Sequence, residues 1–221
     1  AGIVRRVAEA KAPPIRRPAI RSGSGKLRLA YVSSDFHDHA TAYLIAELFE
    51  QHDRDRFDVH GISFGPQEDS AMRRRLESSF TNFHDLRGAN VRTIAQAIAD
   101  IGADIAIDLK GYTQGAATGI FVHRPAPIQL QYLGYPGTMG ADFIDYVIAD
   151  KVVIPAAEQP HYHEKIAYLP DTYQSNDRRR PLPIQAPSRS ACGLPELAIV
   201  FATFNASYKI TPEIFAVWLR L

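Results

Sequence analysis

The sequence predicts an α/β fold, a Rossmann-like and mostly parallel sheet with helices on both faces, and three observations carry that prediction. Apolar runs of strand length alternate with amphipathic helical stretches from Leu27 to Ala149, the order that produces parallel pairing through helical crossovers. The clearest helix has both ends written into it, with Asn90 placed to cap the start and Gly102 to close it. With 46% hydrophobic and 22% charged residues among 221, the chain has enough apolar material for a real core, which excludes general disorder, a collagen-like fibre and a disulfide scaffold.

Taken in order, Leu27–Val32 reads as a strand, and Thr41–Gln51 as a helix with Leu44, Ile45, Leu48 and Phe49 on one face. Phe57–Phe64 is a second strand. A charged helix around Asp69–Ser79 follows, with Met72, Leu76 and Phe80 recurring every four residues. Between Asn90 and Gly102, Val91, Ile94, Ala95, Ile98 and Ile101 form a stripe. The strand Asp104–Leu109 comes next, then a short helix near Thr118–Val122 and strands at Ile128–Leu133 and Tyr146–Ala149. Past Pro170 periodicity is lost through residues 171–195, which hold four prolines and the run Arg178-Arg179-Arg180. Leu197–Phe204 is then expected as a strongly apolar strand. Thr211, Pro212 and Glu213 open a helix in the favoured order of cap, proline and acid.

These signals divide the chain into a linker at 1–26, a Rossmann-like domain at 27–170, a connection at 171–195 and the truncated start of a second α/β domain at 196–221. The linker reading rests on Pro13, Pro14, Pro18 and the run Ser22-Gly23-Ser24-Gly25. Its seven Lys and Arg against Glu9 give it a net charge of +6 and leave −5 for the remainder, within a total of +1. The folded part is mildly acidic, so nucleic acid is not an expected partner. No apolar run approaches the roughly 18 residues that span a bilayer. The single cysteine, Cys192, cannot form an internal disulfide, and a cytoplasmic location is expected.

Ligands of open α/β sheets sit beyond the carboxyl ends of the strands. The first strand ends in Ser33-Ser34-Asp35-Phe36-His37-Asp38-His39, without the G-x-G-x-x-G that a nicotinamide cofactor requires. Asp35, His37 and His39 alternate as metal ligands of an extended segment would, with His161 and His163 the only other histidine pair to complete a shell. His39 reads equally as a helix-start residue or as a histidine poised at a cleft and titrating near neutrality. Asp108 to Gly115 is a polar, Gly-containing loop that includes Tyr112 and Thr113. Tyr132 to Gly140 carries three glycines around Tyr135, Pro136, Gly137 and Thr138, which allow close backbone approach to a ligand. Asn205, Tyr208 and Lys209 precede the Thr211 cap. A lysine beside helix N–H groups suits a phosphate without a metal, and an ordinary solvated lysine is the alternative.

The runs YVSSDFHDHATAYL, DLKGYTQGA, RPAPIQLQYLGYPGTMGADFIDYVIAD and FNASYKITPEIF, within residues 27–221, resemble the protein O-linked N-acetylglucosamine transferase family, SPINDLY-like proteins and bacterial tetratricopeptide-repeat relatives included. The resemblance implies a GT-B architecture of two Rossmann-like domains. It implies transfer, with inversion, of N-acetylglucosamine from UDP-N-acetylglucosamine to Ser or Thr hydroxyls of a protein acceptor, with neither cofactor nor metal. Upstream tetratricopeptide repeats and a complete second Rossmann domain are expected as partners outside this chain. Under the resemblance His39 falls on the family's active-site histidine. Lys209, with Asn205, Tyr208 and Thr211 around it, falls on the diphosphate site, and Tyr112, Thr113 and Tyr135 to Thr138 fall on the sugar and acceptor cleft. The chain departs from the family's usual proline, arginine and amide at Ala40, Ala117 and Ala206. Transfer of fucose from GDP-fucose, a non-catalytic binding module and a metal-dependent hydrolase are the competing expectations. The chain by itself is expected to fold over 27–170 and to be catalytically silent.

Overall fold

The structure, a computed structural model, describes residue 15 and residues 25–180 and 184–221; most of the 1–26 linker lies outside the described residues. The chain divides between Arg180 and Pro181 into two compact units.

In the first unit the strands are β1 (Leu27–Ser33), β2 (Phe57–Ser63), β3 (Asn82–Asp85), β4 (Ile105–Asp108), β5 (Ile128–Gln131), β6 (Tyr146–Ala149) and β7 (Lys165–Tyr168). Four helices join them: α1 (Ala40–Gln51), α2 (Ala71–Ser79), α3 (Val91–Ile101) and the single turn α4 (Gly119–Val122). The seven strands form one sheet in the order β3-β2-β1-β4-β5-β6-β7, every pair parallel. The order reverses between β1 and β4, where Leu29 pairs with Ile105 and Val32 with Asp108. That reversal opens a crevice beyond the carboxyl ends of these two strands.

Each face of the sheet has its own core. Ala30, Val32 and Ala106 pack with Ile94, Ile98 and Ile120 on one face, and Leu29, Tyr31 and Ile107 pack with Ile45, Phe49 and Leu76 on the other. The capping signals perform as read: Asn90 Oδ1 accepts from Thr93 N at 2.9 Å, and Gly102 adopts a left-handed φ of 68° while its N–H returns to Ala99 O. On α1 the buried face is turned from expectation, with Ala42, Ile45, Ala46 and Phe49 inside and Leu44 and Leu48 only partly buried.

Three strand readings need correction. β3 and β7 are absent from the sequence reading, because NFHD is mostly polar and both NFHD and KIAY are too short to show a period of two; they become strands by adding to an existing edge. Conversely, Leu197–Phe204 forms no strand. No strand of the second unit lies beside it among the described residues, and a parallel strand exists only through its neighbour's N–H and C=O groups. The first unit also continues past residue 170. Tyr173 N donates to Asp150 Oδ2, Arg75 holds Glu50 and Asp177, and Glu47 accepts from Arg178 N.

The second unit contains the short 3-10 turns Ser190–Cys192 and Ser207–Lys209 and the helix α5 (Pro212–Trp218). Among its described residues most large apolar side chains are open to solvent, Leu197 and Phe204 each at 99%.

Candidate functional site

The carboxyl edge of β1, β4 and β5 is built by three loops that lock into one another. After β1, Phe36 is buried against Phe49, Phe80 and Phe83, while Arg73 from α2 donates to Phe36 O at 3.0 Å. The turn from Ser33 to His39 is therefore pinned by both an apolar anchor and a buried cation. After β4, Tyr112 OH donates to Met139 O at 2.8 Å and its ring meets Tyr135 edge-on at 5.7 Å, which ties the β4 loop to the β5 loop. After β5, Gly134 passes so close to β4 that a Cβ there would lie 2.1 Å from Leu109 O. Leu133 just before it holds a left-handed φ of 69°, a strained state for a branched residue that its surroundings must enforce.

The turn at Leu133 closes through Gly134 N, which donates to Tyr132 O at 2.8 Å, and the loop beyond it is held by three residues that the sequence reading does not single out. Gln131 Nε2 donates to Gly137 O at 2.9 Å and also to Tyr135 O. Buried Glu164 accepts from Thr138 Oγ1 at 2.7 Å and from Met139 N at 2.6 Å, and Tyr162 OH donates to Pro136 O. The loop's shape is thus set from below by β5 and from the side by the residue just ahead of β7.

His39 is the N-cap of α1. Its backbone is extended (φ −142°, ψ 151°) and its Nδ1 accepts from Thr41 N at 3.2 Å, so the helix-start reading holds at this position. Its side chain is 40% exposed, and Asp35 Oδ2 lies 3.5 Å from the same nitrogen. Desolvation of the ring holds His39 below the ordinary imidazole value, Asp35 pulls the other way, and Lys110 and His37 add to the lowering. Asp35 itself is occupied by Lys110, whose Nζ donates to both carboxylate oxygens. His37 faces Glu68 at 3.3 Å, His161 pairs with Glu158 and His163 with Asp142. Among the described residues no cluster of three or more His, Cys, Asp or Glu side chains could hold a metal ion.

Asp108 closes β4 with an unusual environment. Its Oδ1 accepts from Lys110 N at 2.8 Å, its Oδ2 has no partner, and burial pushes the carboxyl up to about 6. Gln131, its register neighbour on β5, likewise has an orphaned buried Oε1. Only the strand register makes these two residues neighbours, and no sequence signal pairs them.

Of the site residues read from sequence, the structure gathers His39, Tyr112, Thr113, Tyr135, Pro136, Gly137 and Thr138 at this one edge. The Thr113 hydroxyl is spent inside its own loop, on Lys110 O, and the Thr138 hydroxyl on Glu164 just ahead of β7. Asn205, Tyr208, Lys209 and Thr211 belong to the second unit. There Lys209 ends a 3-10 turn and Thr211 caps α5 through Ile214 N at 3.4 Å.

A parallel sheet with a reversal flanked by such loops is shared by many enzymes, and the comparisons decide among them. The sequence pattern of glycosyl transferase family 41 matches residues 4–184. This chain belongs to glycosyl transferase family 41. As a family 41 chain it is 37% identical, over 219 residues, to a probable UDP-N-acetylglucosamine–peptide N-acetylglucosaminyltransferase SEC of Arabidopsis thaliana, covering 95% of this chain and 22% of that protein. It is 38% identical over 167 residues to the UDP-N-acetylglucosamine–peptide N-acetylglucosaminyltransferase of Caenorhabditis elegans, covering 75% of this chain and 14% of that one. A solved Thermobaculum terrenum O-GlcNAc transferase mutant superposes with a TM-score of 0.67 at 27% identity, over 77% of this chain and 33% of that chain. The family 41 chain therefore spans about a fifth or less of the length of these curated relatives.

Proposed function

We propose that the chain supplies one part of an inverting glycosyltransferase that moves N-acetylglucosamine from UDP-N-acetylglucosamine to Ser or Thr hydroxyls of proteins. The observation that carries this reading is the 37% identity to a transferase of that name across 95% of the chain. The gathered loops at the carboxyl edge of β1, β4 and β5 agree with it, because that is where an open parallel sheet takes its ligand.

In this reading His39 touches the reacting groups, and Tyr112, Thr113 and Tyr135 to Thr138 line the cleft for sugar and acceptor. Asn205, Tyr208, Lys209 and Thr211 take the nucleotide diphosphate. As the bond from the anomeric carbon to the diphosphate breaks, negative charge grows on the leaving group, and a fixed ammonium with oriented N–H groups can offset it. Lys209 is assigned that task, so the reaction needs neither a metal nor a cofactor. The protein acts in the cytoplasm, with upstream tetratricopeptide repeats that select acceptor proteins and a completed second Rossmann domain. No helix among the described residues is long and apolar enough to cross a membrane.

The test uses the protein extended to the length of its relatives. Lys209→Ala should lower transfer from UDP-N-acetylglucosamine by roughly a hundred- to a thousandfold, the usual consequence of losing about 2.7–4 kcal/mol of leaving-group stabilisation, and weaken UDP binding. His39→Ala should lower kcat strongly with UDP affinity nearly unchanged. Turnover and UDP affinity both unchanged in Lys209→Ala would remove the lysine from the site. Transfer from GDP-fucose in place of UDP-N-acetylglucosamine would overturn the donor.

A further inference from the structure

Where the sheet order reverses, a buried ion pair joins the two strands that flank the crevice. Lys110 Nζ lies 2.8 Å from Asp35 Oδ1 and 2.6 Å from Oδ2, with the two side chains 4% and 8% exposed. Lys110 is held at its other end too, since its backbone N–H donates to Asp108 Oδ1. The same Asp35 Oδ2 faces His39 Nδ1 at 3.5 Å, beyond hydrogen-bond length. That nitrogen is already accepting from Thr41 N at 3.2 Å.

One imidazole nitrogen therefore has two neighbours with opposite demands. The Thr41 amide needs a bare lone pair on Nδ1, which puts the proton of a neutral ring on Nε2. Asp35 would need the proton on Nδ1. An unpaired carboxylate would win, because a charge-assisted hydrogen bond is roughly twice as strong as a neutral one. Lys110 removes that advantage by neutralising the carboxylate and donating to both of its oxygens. The remaining neighbours do not reverse the balance: His37 is turned to Glu68, whose other oxygen accepts from Asp38 N.

We propose that Lys110 and Asp35 are positioning residues that fix His39 as a neutral imidazole protonated on Nε2, with bare Nδ1 capping α1. His39 then offers a ligand a hydrogen-bond donor and not a proton acceptor. The class of group it recognises is an oxygen with a free lone pair, a hydroxyl, carbonyl or phosphate oxygen. That this oxygen belongs to a donor sugar or a protein acceptor rests on the transfer reading above; the tautomer does not.

Long-range proton–nitrogen correlation spectra of the 221-residue chain with labelled histidine read the tautomer directly. Above pH 7.5 the His39 Nδ1 should resonate as a bare nitrogen and Nε2 as a protonated one; the reverse pattern overturns the proposal. In Lys110→Met the uncovered Asp35 should draw the proton to Nδ1 and raise the proton affinity of His39 at least tenfold, about one pKa unit. Lys110→Arg, which keeps the charge, should retain the wild-type pattern. A folded Lys110→Met protein with tautomer and titration unchanged would reduce Lys110 to a packing role and overturn its part. If Lys110→Met does not fold, Asp35→Asn takes its place. It should leave the Nε2–H tautomer intact with a weaker proton affinity at His39, and an unchanged or stronger affinity overturns the role of Asp35. A wild-type spectrum as expected, beside an extended protein that transfers no sugar, would leave the tautomer standing and overturn only the transfer reading.

Discussion

Phe49 and Phe204 stand at opposite extremes of burial in the same chain. Phe49, on α1, is fully buried among Tyr31, Phe36 and Phe80. Phe204 ends a strongly apolar run, Leu197–Phe204, and is 99% exposed. The difference lies in what stands opposite. In the first unit every strand has a hydrogen-bonded neighbour and each sheet face has helices against it, whereas among the described residues of the second unit one helix and two short turns surround a segment with no strand beside it. Apolar content measures what can be buried; partners determine what is.

Cutting the same side chain in both units measures what the partners contribute. Phe49→Ala should destabilise the first unit by about 3–5 kcal/mol, the cost of a cavity in a closed core. Phe204→Ala should change stability by under about 0.5 kcal/mol, as an exposed position does. Urea unfolding followed by far-ultraviolet circular dichroism measures both, and equal losses would mean that Phe204 is packed in solution.

A subtler contrast concerns buried charge, which among the described residues lies in the first unit. Asp108, pushed up to about 6 by burial, binds a proton more readily folded than unfolded. Its contribution to stability is fully present below about pH 3.8 and is lost as pH rises through about 6. Asp108→Asn should therefore stabilise the protein at pH 7.5 by about 1–3 kcal/mol, the cost of an unsatisfied buried group. Near pH 4 the gain should vanish. His52 and His84, lowered mainly by burial, act with the opposite sign. Their contribution is present above about pH 6.5 and lost as pH falls through their depressed values. Urea midpoints across pH 4–8 for both proteins separate the two effects, and a pH-independent gain would show that Asp108 is not the titrating group.

Ala40 is the first residue of α1, where a free N–H is of no use to the helix, and His39 before it is already extended as a residue preceding proline must be. Ala40→Pro should stabilise by about 0.4–1 kcal/mol through the unfolded chain. Thermal denaturation checks it, and a lower midpoint would mean that the cap geometry at His39 does not tolerate the ring.

Much of the fold was legible because its signals are local. The Asn90 cap, the Gly102 terminator, the four-residue rhythm of Met72, Leu76 and Phe80 and the apolar cores of β1, β2, β4, β5 and β6 each depend on neighbours a few residues away. β3 and β7 were hidden because four-residue edge strands owe their existence to the strand beside them. At the candidate site, the loops after β1, β4 and β5 were legible from the rule that ligands gather at carboxyl ends. Glu164 and Gln131 were not, since each acts on a loop through bonds that only folding brings within reach.

The sequence by itself determined the alternating elements, the parallel sheet they imply and the family, because helix caps, strand periodicity and long characteristic runs are written in consecutive residues. Tertiary structure alone decided which acceptors remain orphaned at Asp108 and Gln131 and which apolar run finds no strand to pair with. It alone also decided that Lys110 reaches across the crevice to Asp35, 75 positions away, and so sets what His39 can offer. Such facts depend on distance and desolvation between residues far apart in the chain, and those quantities exist only once the strands have been laid side by side.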